Sequence, residues 1–291
     1  MNPTVARVTD STSEVHALGL SGSWAVVPLE IEIDGRRLRE GPELSSTDFY
    51  ALFQQANAIP VTIPPSPERF AAVYRRLLET HERLLSIHLS GELSRTVDHA
   101  LEAADRIGAS NRVLVIDSRL AGLPLGLLCL EAEARLAAGG EPAEVAKDIQ
   151  AIARATRVYF SVYTLDFLYL SGRLDRSPSR GGSDQDDRPI LALEDGRLSL
   201  IERVVGETTR VERMVDLVAL DFEAGEPIVA ACVHAGARGK EAAGQLEQAL
   251  AEVRRPARWY RASLGPVLCA HTGFDVCGIA TYPASLSALG R

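Results

Sequence analysis

The sequence is poor in the residues that build redox, metal and disulfide sites. Its 291 residues include six histidines, none of them paired at metal-ligand spacing, and four cysteines, which are Cys129, Cys232, Cys269 and Cys277. No two cysteines form a C-x-x-C pair, and each lies among apolar residues. We interpret them as small core residues, and we predict neither a metal site nor a bound cofactor.

Signatures of catalysis and of nucleotide binding are also missing. The sequence contains no G-x-S-x-G, no G-x-x-x-x-G-K-S/T, no G-x-G-x-x-G and no H-E-x-x-H motif. Gly239-Lys240 lacks the upstream glycine that a phosphate-binding loop requires. We therefore assign no catalytic residue and predict that the chain is not an enzyme on its own.

Charge and hydropathy argue against two further classes of protein. A net charge of -8 and a pI of about 5.4 are unlike a general nucleic-acid-binding protein, which usually has a basic face. The N-terminus has no basic region followed by an apolar run, so no signal peptide is predicted. The apolar stretch Leu120–Leu130 is too short to span a bilayer and contains Pro124. We expect a cytoplasmic protein without stable membrane insertion.

The chain is long enough for two domains, and 46% of its residues are hydrophobic. The first half alternates strands with helices, which predicts an α/β domain over residues 1–155 with a parallel sheet and helices on both faces. Residues 156–291 suggest an α+β domain with a largely antiparallel sheet. The polar segment Arg176–Arg188 has no apolar residue, so it cannot bury a face and is predicted to be mobile.

Several local patterns predict particular elements. Trp24–Ile33 is rich in apolar and β-branched residues and is predicted to be a strand, and Asp34-Gly35 is a hairpin turn signal. Ser66-Pro67 starts a helix, with serine as the cap and proline at the first helical position. Val267–Ala270 is expected to form a short strand.

Hydroxyl and basic side chains follow several of the predicted strands. In open α/β sheets ligands gather at such strand-to-helix loops, where helix N-termini favour anions. The candidates are Thr62 in the proline-rich loop, Ser90 and Ser94 between a strand and a helix, Arg173 after a short helix, and His271 after a short strand and before Thr272-Gly273. Each also has a simpler interpretation, since Ser94 could cap a helix, Thr62 could shape a turn and Arg173 could form a surface ion pair. Together these groups suit a carboxylate.

A series of short motifs runs in a fixed order along nearly the whole chain. They are Val8-Thr9-Asp10-Ser11-Thr12-Ser13, Val27-Pro28-Leu29 with Asp34-Gly35, Thr62-Ile63-Pro64-Pro65-Ser66-Pro67, Ser86–Ser94, Thr164–Leu168 with Gly172-Arg173, Pro189–Leu191 with Asp195-Gly196, Val233–Gly236, and His271-Thr272-Gly273. In this order they resemble the motifs of the DegV family, the lipid-binding subunits of bacterial fatty-acid kinases.

The resemblance implies a two-domain fold that buries a long-chain fatty acid. Thr62 and Ser94 would donate hydrogen bonds to the lipid carboxylate. Arg173 and His271 would lie near this head group, where a partner kinase phosphorylates it, and His271 is expected to titrate near neutral pH. The remaining residues implied in the same region are Asp10, Ser11, Ser90, Thr272 and Gly273.

The sequence departs from the family pattern at several positions. Ile63 and Pro64 replace Ser and Gln, and Arg95 replaces the glycine after Ser94. The basic run expected after Val204 carries less positive charge here, and the polar segment Arg176–Arg188 replaces an apolar helix. These changes bear on kinase docking and on closure of the pocket more than on the fold.

Two other functions remain open at this stage. A serine hydrolase or acyltransferase could use Ser94 and His271, but it would need a strained nucleophile elbow and an acid that orients the histidine. Alternatively, the chain could carry another amphipathic acid without any kinase, which the reduced basic run favours slightly.

Overall fold

A computed structural model describes residues 4–175 and 186–289, and these divide into two compact units. Unit 1 contains the chain up to Arg154, together with Gly265–Val267 and the residues from Ser287 onward. Unit 2 comprises Ala155–Leu264 and Leu268–Leu286. Residues 176–185, which make up most of the segment predicted to be mobile, lie outside the described residues.

Unit 1 is built on a parallel sheet. Its strands, in spatial order, are β2 (Trp24–Val27), β1 (Val5–Asp10), β6 (Arg83–His88) and β7 (Val113–Asp117). A second, antiparallel sheet has the order β4 (Arg36–Arg39), β3 (Glu30–Ile33) and β5 (Val61–Ile63). The helices are α1 (Ser46–Gln55), α2 (Pro67–Leu78), α3 (Thr96–Arg106), α4 (Leu123–Ala137) and α5 (Pro142–Ala155).

Helices cover both faces of the parallel sheet, as the alternation of strands and helices predicts. Val8 and Leu84 pack in a core with Phe70 and Tyr74 of α2 and with alanines of α3. Successive residues of a strand point to opposite faces, so Thr9 lies on the other side. There Cys129 of α4 contacts the Thr9 hydroxyl at 3.7 Å. The edge where β1 and β6 end is therefore held between two layers of helices.

The end of the described chain is fixed in unit 1 by a buried acid. Glu131 of α4 has no exposed surface and accepts hydrogen bonds from the Ser287 hydroxyl at 2.5 Å and from the Ala288 amide at 2.8 Å. Arg135, one turn further along α4, forms an ion pair with the same carboxylate. These contacts attach Ser287 and Ala288 to α4 of unit 1.

Unit 2 is built on a six-stranded sheet. The spatial order is β10 (Arg197–Val205), β9 (Asp187–Glu194), β8 (Arg157–Ser161), β13 (Val276–Pro283), β11 (Ile228–Ala235) and β12 (Arg258–Ser263). Among the strand pairs described for this sheet only β11–β12 is parallel, so the predicted α+β fold with a largely antiparallel sheet is confirmed. The helices are α6 (Asp166–Leu170), α7 (Glu207–Asp221), α8 (Gly236–Val253) and α9 (Pro266–Thr272), of which the first two residues, Pro266 and Val267, belong to unit 1.

Three local expectations are wrong. Trp24–Ile33 is two strands, β2 and β3, in different sheets, because the chain leaves the first sheet at Pro28. Val267–Ala270 lies in α9 rather than in a strand, because Pro266 supplies the fixed φ of a first helical residue. The end of the segment predicted to be mobile is ordered, since Arg188 lies in β9, is 7% exposed and forms an ion pair with Glu207.

Candidate functional site

Asp10, at the end of β1, organises the first motif. Its carboxylate accepts four hydrogen bonds, from the Thr12 amide at 3.1 Å, the Thr12 hydroxyl at 2.6 Å, the Leu89 amide at 2.9 Å and His88 Nδ1 at 3.1 Å. Asp10 has no exposed surface. The side chain is therefore committed to shaping the loops after β1 and β6.

His88, which the sequence analysis left aside, extends this network into the core. Because a carboxylate can only accept a hydrogen bond, Nδ1 of His88 carries a hydrogen and donates it in the hydrogen bond to Asp10. In the neutral ring Nε2 then accepts from the Ser86 hydroxyl at 2.7 Å, and Ser86 accepts from Tyr74 at 2.8 Å. Ser86, His88 and Asp10 thus have the connectivity of a catalytic triad. Ser86 has no exposed surface, however, so this network is suited to positioning rather than to nucleophilic attack.

The Ser11–Ser13 turn packs against the first turns of α4. The Ser11 hydroxyl accepts from the Leu29 amide at 3.0 Å, and the Ser13 hydroxyl donates to the Asp10 carbonyl at 2.8 Å. At Gly126 of α4, a Cβ atom would lie 2.1 Å from the Ser13 carbonyl oxygen. Only glycine permits this approach, so the sequence of α4 helps to fix the turn.

Ser90 and Ser94 lie in one tight turn between β6 and α3. The Ser94 amide donates to the Ser90 carbonyl at 3.1 Å, and the Ser90 hydroxyl accepts from the Glu92 amide at 3.2 Å. The Ser94 hydroxyl lies 2.9 Å from the Thr96 hydroxyl and accepts from the Thr96 amide at 3.3 Å. Because Ser90 is fully buried, Ser94 is the better placed of the two serines to reach a ligand.

Thr62 lies at the centre of β5, where it pairs with Ile31 of β3. The proline-rich loop that follows is attached to α3, because His99 Nδ1 donates to the Pro65 carbonyl at 2.8 Å. Ser66 then caps α2 as predicted, accepting from the Arg69 amide. Both candidate anchors belong to unit 1, where Ser94 lies just before α3 and the loop that follows Thr62 is attached to α3 at Pro65.

The remaining candidates belong to unit 2, where His271 and Thr272 end α9 and Gly273 follows. Arg173 follows α6, and its guanidinium donates to the Ser171 carbonyl at 2.5 Å. Burial, with a smaller effect of the Arg173 charge, lowers the pKa of His271 to about 3. The expectation that His271 titrates near neutral pH is therefore wrong, and its imidazole is neutral under physiological conditions.

Gly273 connects two of the motifs through direct packing. Its φ is +73°, and a Cβ atom at this position would lie 2.7 Å from the ring of Phe167 in α6. The Thr164–Leu168 motif and the His271-Thr272-Gly273 motif are therefore neighbours, and the glycine is required both by its conformation and by the aromatic ring against it.

A further feature of unit 2 could not be inferred from the motifs. An open cavity of about 850 Å³ is lined in part by Tyr163, Arg188, Glu207 and Arg238. The guanidinium carbons of Arg188 and Arg238 lie 5.2 and 5.7 Å from the centre of the Tyr163 ring. None of the residues assigned to the ligand site from the sequence is among the residues that line it.

Metal and membrane sites are not found in the part of the chain that the structure describes. Within residues 4–175 and 186–289 no three His, Cys, Asp or Glu side chains are grouped so that they could hold a metal ion. None of the helices in these ranges combines the length and the apolar character needed to cross a bilayer.

Comparison with known proteins places the chain in a family. A family model described as "Uncharacterised protein, DegV family" matches residues 4–284. A DegV domain-containing protein of Streptomyces coelicolor is 33% identical over 281 residues, which cover 96% of this chain and 98% of the relative. The chain belongs to the DegV family. The resemblance inferred from the ordered motifs is thereby confirmed.

Solved DegV structures match nearly the full length of this chain. A DegV-family protein from Thermus thermophilus, described by its fatty-acid binding, has a TM-score of 0.88 and 32% identity, covering 96% of this chain and 99% of its own. DegV of Bacillus subtilis, described as a fatty-acid-binding protein, has a TM-score of 0.83 and 25% identity and covers 97% of this chain and 100% of its own. The predicted fold class, α/β with a DegV-like arrangement of elements, is confirmed.

Proposed function

We propose that this DegV-family chain binds a long-chain fatty acid and holds its carboxylate for phosphorylation by a partner kinase. The observation that carries the first half of the proposal is the likeness to the fatty-acid-binding Thermus thermophilus protein, which extends over 96% of this chain. Hydroxyl groups in the positions that the family resemblance implies, Thr62 and Ser94, support it.

In this proposal most of the affinity comes from burial of the acyl chain. Burying an acyl chain contributes about 0.8 kcal/mol per CH2 group, so a long chain contributes on the order of 10 kcal/mol. A single hydrogen bond to a charged group contributes about 1.5–3 kcal/mol. The polar side chains therefore set the orientation of the ligand and the preference for a carboxylate, while the apolar chain supplies most of the affinity.

The direct test of binding is to identify what the protein carries when it is purified from bacteria. Mass spectrometry under denaturing conditions is expected to release a fatty acid in stoichiometric amount. Added palmitate or oleate should bind to protein from which this lipid has been removed. If neither result is obtained, the chain does not bind fatty acids and the proposal is wrong.

Removing either anchoring hydroxyl should weaken binding of the acid selectively. Thr62→Val or Ser94→Ala is expected to cost about 1–3 kcal/mol of fatty-acid affinity, because one donor to the carboxylate is lost. The same substitution should cost less for the matching fatty alcohol, whose head group is uncharged. Titration calorimetry with the acid and the alcohol gives both affinities.

Exposed positions supply matched controls for these substitutions. Thr208 and Ser110 are exposed, so Thr208→Val and Ser110→Ala should leave both affinities unchanged. Equal losses for the acid and the alcohol in the Thr62 and Ser94 variants would show that these residues only shape their loops.

The proposed role with a kinase rests on two side chains of unit 2, Arg173 and His271. Arg173 is charged at any relevant pH, and the neutral imidazole of His271 offers a hydrogen bond without a competing charge. Phosphoryl transfer requires positioning and neutralisation of charge, to which such groups contribute. We place this activity in the cytoplasm, and the chain has no enzymatic role of its own in the proposal.

A reconstituted assay tests the kinase step separately from binding. With ATP, a cognate kinase and lipid-loaded protein, His271→Ala should slow acyl-phosphate formation while leaving lipid binding largely intact. Esterase or ATPase turnover by the chain alone, abolished by Ser94→Ala or His271→Ala, would instead establish the enzyme that the sequence leaves open.

A further inference from the structure

Two buried glutamates of unit 1 bind the same short backbone segment. Glu14 Oε1 accepts from the Gly265 amide at 2.7 Å, and Glu40 Oε1 accepts from the Val267 amide at 2.9 Å. Pro266, between them, has no amide hydrogen. Both amide hydrogens of Gly265–Val267 are thus held by carboxyl groups, and this segment begins α9.

The segment and the acids fit each other closely. A Cβ atom at Gly265 would lie 2.7 Å from Glu40 Oε1 and 2.8 Å from Glu14 Oε1, so the two oxygens converge on one point. Glu14 has a φ of +54°, in the left-handed region that is unfavourable for a residue with a side chain. The fold therefore holds Glu14 in an uncommon conformation that brings its carboxyl group to the Gly265 amide.

The surroundings of the pair are acidic and buried. Glu14 is 6% exposed and Glu40 is 4% exposed. The titratable group that faces Glu40 besides Glu14 is Asp10, which is itself bonded to His88. Glu40 Oε2 is buried and makes no well-formed hydrogen bond among the described residues, although the Ser11 hydroxyl lies near the carboxyl group.

This environment favours protonated acids. Burial raises the pKa of Glu40 to about 7, against the opposing effects of the Ser11 hydroxyl and the Val267 amide. Burial, followed by the charge of Glu40, raises the pKa of Glu14 well above its usual value. Interacting acids lose their protons in separate steps, so Glu40 is the group that ionises near neutral pH.

We propose that Glu14 and Glu40 form a proton-dependent clamp on the start of α9, closed while the pair is protonated and loosened when Glu40 ionises. Ionisation of Glu40 places a negative charge beside the Asp10 carboxylate in a buried site, where screening by solvent is weak. The clamp is a property of this chain alone and does not depend on the proposed ligand.

The direction in which pH changes the stability of the clamp follows from the difference between the pKa of Glu40 in the folded chain and in the unfolded chain. Glu40 has a pKa of about 7 in the folded chain and an ordinary value of 4.5 when unfolded, so the folded state binds the proton more tightly. The stability that this group contributes is fully present below the unfolded pKa and is lost as pH rises through the folded pKa. The clamp should therefore weaken between roughly pH 5 and pH 8.

Hydrogen exchange at the two clamped amides tests the proposal. After correction for the intrinsic pH dependence of exchange, protection of Gly265 and Val267 should fall about tenfold between about pH 6 and pH 8, following the protonated fraction of Glu40. In Glu40→Gln, which keeps an acceptor oxygen but cannot ionise, the protection should not change with pH. Glu43→Gln is the matched control, because Glu43 is an exposed acid three residues away, and it should behave like the parent protein.

Two results would overturn the clamp: protection that is independent of pH in the parent protein, or an equal fall in Glu40→Gln. A second measurement uses the unmodified protein. The infrared carbonyl band of a protonated carboxyl group should disappear with a midpoint near the pKa of about 7. If no such band titrates near neutral pH, Glu40 is not protonated in the folded chain and the proposal is wrong.

Discussion

Replacing Asp10 by asparagine is expected to lower the free energy of unfolding of unit 1 by about 3–5 kcal/mol. The Asp10 carboxylate accepts four hydrogen bonds, including one from His88 Nδ1. The asparagine amide turns one acceptor oxygen into a donor group, which then faces donors. Because all these groups are buried, water cannot replace the lost hydrogen bonds.

The chain offers a separate reporter for each unit. Trp24 lies in β2 of unit 1 and Trp259 in β12 of unit 2, and the sequence has no other tryptophan. In a Trp259→Phe background, urea denaturation followed by the fluorescence of Trp24 therefore reports unit 1. Asp105→Asn is the control, since Asp105 is an exposed aspartate of α3 and its replacement should change stability by less than about 0.5 kcal/mol.

The outcome also decides whether Asp10 of the first motif has a structural role or contacts the ligand. A loss of several kcal/mol with Asp10→Asn would show that Asp10 acts by building the loops around Ser11 and Leu89. If stability is unchanged but fatty-acid binding is lost, Asp10 is a ligand contact and the network with His88 is secondary.

Local sequence signals predicted the parts of the fold that depend on neighbouring residues. Asp34 and Gly35 both have positive φ, at 46° and 75°, as the hairpin signal requires. Ser66 caps α2 and Pro67 follows it at the first helical position. These features follow from backbone sterics and capping over a few residues, so a single sequence is sufficient to predict them.

Contacts between residues that are far apart in the sequence could not be predicted in the same way. Glu14 and Gly265 are 251 positions apart in the sequence, and Glu40 and Val267 are 227 apart. A glutamate in a polar stretch is normally a surface residue, and only the fold shows that these two are buried. Similarly, the four-residue run Val267–Ala270 is too short for periodicity to separate a helix from a strand.

For the hydroxyl and basic side chains of the candidate site, the position in the chain was predictable, whereas burial and charge state were not. Strand-to-helix position was enough to select Ser90 and Ser94, which the structure brings into one turn. It did not reveal the difference in burial between the two serines: Ser90 is buried and Ser94 is only partly buried. The charge state of His271 was mispredicted because it depends on burial and on Arg173, and neither is visible in the sequence around it.

Two glycines of α8 should respond to alanine with opposite signs. At Gly239 an added Cβ would lie 2.2 Å from the Val276 carbonyl oxygen, whereas at Gly244 no atom lies within 4 Å. Gly244→Ala should stabilise unit 2 by up to about 1 kcal/mol, because alanine is the better helix former. Gly239→Ala should destabilise it by about 3 kcal/mol, because α8 and β13 must move apart within a packed core.

Both substitutions can be measured in a Trp24→Phe background, in which Trp259 reports the unfolding of unit 2. The two sites share one helix and one chemical change, so differences in helix propensity between them are small. The difference between the two changes in the free energy of unfolding therefore isolates the contact between α8 and β13. That contact fixes the strand that leaves Gly273, where Val276 begins β13 after the His271-Thr272-Gly273 motif. If Gly239→Ala were as stable as Gly244→Ala, the helix would not be pressed against the β13 backbone, and this support for the motif would be absent.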